Sequence, residues 1–87
     1  MCTNIVERVE LSGSGKGPGG WFALSEAAIS YDHPFHADEE HAVNIDFVNP
    51  GRGVDARVPV ELSLGSARKL AEALLAMVDE AEAFERG

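Results

Sequence analysis

The sequence predicts an α+β domain, a four-stranded antiparallel meander sheet covered on one face by a C-terminal helix in the order ββββα. Three observations carry that expectation. Apolar side chains recur every second residue in four short segments before residue 63, the period of half-buried strands. Stretches rich in glycine, proline, asparagine and acidic residues separate those segments, and short separations favour antiparallel neighbours. After Leu64 the apolar period lengthens to 3.6, which is that of an amphipathic helix.

The first strand spans Thr3 to Leu11, where Ile5, Val9 and Leu11 share one face and Glu7 interrupts it. Ser12 to Gly20 holds five glycines and a proline in nine residues, so the sequence predicts a loop there. Trp21 to Tyr31 reads as the second strand, and Pro34 with the acids Asp38, Glu39 and Glu40 marks a solvated reversal. Val43, Ile45 and Phe47 alternate with Asn44 and Asp46 in a third strand that has one apolar and one polar face. Asn49-Pro50-Gly51-Arg52-Gly53 signals a turn, after which Ala56, Val58, Val60 and Leu62 alternate again. Pro59 places that fourth strand at a sheet edge or a bulge.

From Leu64 to about Glu85, the residues Leu64, Ala67, Leu70, Ala71, Leu74, Met77, Val78 and Ala81 form one helical stripe, with Ser63 or Ser66 as N-cap. Some 22 residues rise roughly 33 Å, long enough to cross a small sheet. The opposite sheet face keeps Arg8, Asn44 and Asp46, so it is wet or half used in a partner contact.

The 87 residues make a single domain, 1–87, near the lower limit for a self-sufficient core, and a homodimer is the expected assembly. Hydrophobic residues at 45% and charged residues at 25% place the chain among folded proteins and away from disorder. A formal charge of −8 argues against nucleic acid and anionic lipid as partners, because both are bound through clustered lysine and arginine. One cysteine provides no intramolecular disulfide, and no apolar run spans a membrane. The N-terminus lacks the charged and apolar regions of a secretory signal, so the expected location is cytoplasmic.

All three histidines fall between Tyr31 and His41. In a meander, residues facing each other across a hairpin have position numbers with a constant sum. A glycine loop centred near Lys16 sets Cys2 opposite Ser30 and close to Asp32; a turn centred near Ala37 sets His33 opposite His41, with His36 between them. Cys2, His33, His36 and His41 then converge on one end of the sheet. Such a shell suits a divalent transition metal, zinc first, although iron, nickel and copper accept the same ligands. Asp32 and Glu40 stand behind as groups that orient the imidazoles, and with Glu39 they also offer a two-histidine, one-carboxylate alternative with open positions for catalysis. The competing readings are a solvated histidine-rich turn, and a nucleophilic Cys2 activated by His33 or His41.

Gly13-Ser14-Gly15-Lys16-Gly17 superficially resembles a phosphate loop, but it lacks the leading glycine, has Gly17 where Ser or Thr would hold magnesium, and leads into a strand. A flexible hairpin loop is the simpler reading, from which Lys16 still offers a contact to an unidentified small anionic ligand. Trp21 and Phe22 could form an exposed recognition pair, but one of them is expected to face the helix, so core packing is the default reading. Asp79, Glu80, Glu82 and Glu85 read as a solvated face at the end of the helix that its dipole disfavours.

Taken together, Met1-Cys2-Thr3, Ser12-Gly13-Ser14-Gly15-Lys16-Gly17 followed by Gly20-Trp21-Phe22, Tyr31-Asp32-His33-Pro34, His36-Ala37, Glu40-His41, Asn44-Ile45-Asp46-Phe47 and Asn49-Pro50 give a recognisable pattern. Over nearly its whole length the chain resembles a family of short, functionally uncharacterised actinobacterial proteins, a domain of unknown function. The resemblance implies a bacterial, cytoplasmic protein and supplies no activity, cofactor or catalytic residue.

Two functions follow as expectations. The first is a small metal-binding protein, with a metal-dependent hydrolase, lyase or oxygenase as its catalytic form, the ion held at Cys2, His33, His36 and His41. The second is a non-catalytic dimeric accessory or interaction module, in which the open sheet face or the strand carrying Pro59 docks a partner.

Overall fold

The computed structural model describes residues 5–32 and 41–87. Four strands, β1 (Ile5–Gly17), β2 (Gly20–Asp32), β3 (Ala42–Val48) and β4 (Arg57–Leu62), form one antiparallel sheet in the order β1-β2-β3-β4. A single C-terminal helix, α1 (Leu64–Arg86), follows and contacts the sheet, giving the expected α+β order.

Paired residues point to the same side of an antiparallel sheet, so the register separates two faces. One carries the rows Ile5-Tyr31-Val43-Leu62, Glu7-Ile29-Ile45-Val60 and Val9-Ala27-Phe47-Val58. Eleven of those twelve side chains are apolar or aromatic, which defines the face that must be kept from water. The other face carries Arg8, Asn44, Asp46, Arg57 and Glu61, and two ion pairs run across it. Arg57 bridges both carboxylate oxygens of Asp46 at 2.9 and 3.2 Å, and Arg8 meets Glu26 at 3.3 Å. Both pairs are solvent-exposed, so each stabilises the fold by at most about 1 kcal/mol.

The glycine-rich segment differs from expectation. Ser12 to Gly17 is strand, not loop, and the turn shrinks to Pro18 and Gly19 between the paired Gly17 and Gly20. Pro18 sets its own φ, and Gly20 takes φ +110°, a conformation that L side chains rarely adopt. Between Glu10 and Gly13 the register shifts by one residue, so Leu11 and Ser12 together oppose Ser25 in a β-bulge. Beyond the bulge, the hairpin reaches β4. A Cβ on Gly17 would lie 2.6 Å from the Asp55 carbonyl oxygen and 3.0 Å from that of Arg57, while one on Gly15 would touch Leu24 and Val58. Absence of side chains is what permits this approach.

The link from β3 to β4 is a 3-10 turn at Pro50–Arg52 held by Asn49. The Asn49 carboxamide accepts from the Gly51 N–H at 3.2 Å and donates to the Ala23 carbonyl at 2.8 Å, tying the turn to β2. Its backbone N–H donates to the Ala56 carbonyl at 3.1 Å.

Of the two candidate caps, Ser63 begins the helix: its hydroxyl accepts from the Ser66 N–H at 3.2 Å and its carbonyl from the Ala67 N–H at 2.9 Å. With 23 residues, α1 runs about 34 Å. It contacts β3 and β4, and Ala67 is its single half-buried residue; every other position of the helix is exposed. The helix therefore touches the sheet with its first turns and extends past it, giving a molecule of 49 × 31 × 20 Å. Among the described residues, the buried hydrophobic set is Ala27, Ala42 and Ala56.

Candidate functional site

The β2–β3 hairpin has the register that a turn centred near residue 37 requires, with Tyr31 opposite Val43 and Asp32 opposite Ala42. At its end the His41 ring stacks on Tyr31, with centroids 5.3 Å apart and planes inclined by 27°. Cys2, His33, His36 and Glu40 lie outside the described residues, as does Glu39. The β1–β2 register departs from the sequence expectation by four positions, because the turn lies at Pro18-Gly19 rather than at Lys16. Val6, not Cys2, stands opposite Ser30.

These findings correct the reading of a metal-binding protein with a Cys/His cluster. Among the described residues no group of three or more His, Cys, Asp or Glu is placed to hold a metal ion, and the chain has one cysteine. Of the four expected ligands only His41 is described, and its ring is engaged with Tyr31. The register that was to deliver Cys2 to the hairpin also rested on a loop centre the structure moves.

Lys16 sits near the tip of the β1–β2 hairpin, paired across the strands with Trp21. Both are exposed, Trp21 by 71%, whereas Phe22 turns inward beside Gly17. One of the two aromatics is thus half-buried and the other stands in solvent. An open depression of about 690 Å³ accompanies the bulge, lined among others by Arg8, Glu10, Ser12 and Glu26. Its charged wall is already internally paired through Arg8 and Glu26.

An extended apolar surface lies on α1. Leu70, Leu74, Met77 and Val78 of the apolar stripe are exposed, Leu74 by 57%. Leu75 (67%) and Phe84 (86%) widen the apolar surface beyond the stripe read from the sequence. Burying one such side chain is worth about 1.5–3 kcal/mol, so this surface represents substantial unused association energy. Charge is divided along the helix: Arg68, Lys69 and Glu72 lie in its first half, which is net basic, and Asp79, Glu80, Glu82, Glu85 and Arg86 in its second, which is net acidic.

The chain belongs to the family of unknown function DUF6295. The family model matches residues 1–86, nearly the full length. No curated protein and no solved structure matches the chain. Membership in DUF6295 covers β1 through α1 as one unit, so the exposed helix belongs to the family domain and is not an appendage to it. Among the described residues no helix is long and apolar enough to cross a membrane, α1 included. Its apolar surface is a stripe on a charged helix.

The exposed apolar surface of α1 was not read from the sequence, although a signal was present. Leu75 beside Leu74, and Phe84 beyond Ala81, add apolar area that a helix packed on a single sheet face would not use.

Proposed function

We propose that this chain is a protein-interaction module that works as a homodimer in the bacterial cytoplasm, with α1 as its principal contact surface. The observation that carries the reading is the exposed apolar surface of α1. A compact monomer of 9.3 kDa has an accessible surface of about 5,000 Å². This chain has 6753 Å², an excess of roughly 1,800 Å². Stable interfaces bury about 800 Å² per partner, and obligate homodimers more. The radius of gyration of 14.7 Å, against about 12 Å for a compact domain of this length, supports the same reading. A second copy offers a matching surface by definition, and a two-fold contact buries it on both chains at once.

Light scattering and sedimentation on the purified chain at micromolar concentration test this. The expected mass is that of two chains. A strictly monomeric species that still melts cooperatively would overturn the reading.

A further inference from the structure

We infer that α1 pairs with α1 of a second copy in antiparallel orientation, with the basic first half of each helix set against the acidic second half of the other. The inference rests on the dimeric reading and specifies its contact. The helix advances about 100° per residue, which places Arg68, Asp79 and Glu82 on one flank of the apolar stripe. Lys69 and Glu80 lie further round on the opposite side.

An antiparallel pair related by a two-fold axis sets each flank against itself in reverse order. With the axis at Leu74, the middle of the stripe, Arg68 comes level with residue 80 of the second copy, between Asp79 and Glu82 on the same flank. The two-fold repeats that contact at the other end. Lys69 comes level with Asp79 and has Glu80 as its neighbour on its own side. Parallel pairing instead sets the acid-rich second half of each helix against the same half of the other, and Arg68 and Lys69 against themselves. Charge complementarity therefore selects the antiparallel arrangement. The fold leaves room for it, because Ala67 is the one half-buried position of α1, and Arg68, Lys69 and every later residue of the helix are exposed.

Three charge variants of the full chain test the orientation. One carries Arg68→Glu and Lys69→Glu; the second carries Asp79→Lys, Glu80→Lys and Glu82→Lys; the third carries all five. All five positions are exposed, and acids near the start of a helix or bases near its end suit the helix dipole, so the fold is retained. Circular dichroism verifies this. Antiparallel pairing predicts that each of the first two variants weakens self-association about tenfold or more at low ionic strength. The five-fold variant should return to within about threefold of the unmodified chain.

The second variant is the more discriminating. Each acid-to-lysine change adds two charges, so three of them take the formal charge from −8 to −2. Relief of general repulsion would then strengthen association, and only local mispairing weakens it. If the first two variants dimerise like the unmodified chain, or the combined variant fails to recover, the antiparallel contact is wrong even though a dimer exists. If the unmodified chain is monomeric, the dimeric reading itself has failed, and the two failures are told apart in one experiment.

Discussion

Gly17 shows how a single missing side chain shapes the molecule. A Cβ added there would come within 2.6 Å of the Asp55 carbonyl oxygen, closer than real Cβ atoms come, and within a tight 3.0 Å of that of Arg57. Gly17→Ala should therefore push the hairpin tip away from β4 and cost about 1–3 kcal/mol, measured as a shift in the urea midpoint. Gly13 is the control. Nothing lies within 4 Å of a Cβ placed there and its φ is not positive, so Gly13→Ala should be neutral or stabilise by up to about 1 kcal/mol. Equal effects at the two positions would refute the close-approach account. The contrast also explains what the sequence could not reveal here. Glycine runs read as loops because the residue is intrinsically permissive, whereas Gly15 and Gly17 are strand residues that come close to Val58 and to the Asp55 and Arg57 carbonyls. That contact is invisible in local composition. Moving the turn from Lys16 to Pro18-Gly19 then displaced every pairing inferred across β1 and β2, and the argument for Cys2 was lost with it.

Asn49 makes a comparable point with polar groups. One carboxamide satisfies a donor in the 3-10 turn and an acceptor on β2, linking residues 26 apart in sequence. Asn49→Ala should cost about 1–2 kcal/mol, while Asn49→Asp keeps the acceptor for Gly51 and loses the donor to Ala23. An intermediate urea midpoint for the aspartate is the expected result, and a midpoint like that of the wild type would show the β2 tether to be inert. The turn itself was legible, since Asn-Pro-Gly is a strong reversal signal. Its tether to Ala23 was not, because nothing local specifies which carbonyl lies across the gap.

Among the elements, α1 was the most legible from sequence. Its period, its start at Leu64 and the choice of a serine cap all follow from local rules. The two cap candidates, however, are separated only by the structure, which gives the role to Ser63. Ser63→Ala should therefore cost about 1 kcal/mol and lower the helical signal in circular dichroism, whereas Ser66→Ala should stay within about 0.5 kcal/mol of the wild type. The reverse ranking would put the helix start one turn later. The strands were legible to the extent that both faces matter to them. Alternation in β3 and β4 fixed which side is apolar, and the register of the β2–β3 hairpin followed from its turn centre. β1 was read less well, because a bulge and three glycines interrupt its alternation.

For the whole molecule, the question is what completes a core that one chain leaves unfinished. A sheet face of eleven apolar or aromatic side chains and a helix with an exposed stripe are both present, yet the buried hydrophobic residues among those described are three alanines. Local periodicity says that a stripe must be covered and is silent on which chain covers it, so this part of the fold was beyond sequence reading. If a second copy covers it, stability becomes a property of concentration: the melting temperature should rise as protein concentration is raised a hundredfold, since association draws on the folded state. Replacing Leu70, Leu74 and Val78 together by glutamine should abolish that dependence and halve the mass in solution. On a merely solvated helix face the same three substitutions remove no buried contact, and each should change stability by no more than about 0.5 kcal/mol with no change in mass. Concentration-independent melting of the unmodified chain, together with a silent triple variant, would mean that 87 residues remain folded with most of their apolar helix surface in water. The dimer would then have no physical basis in this surface.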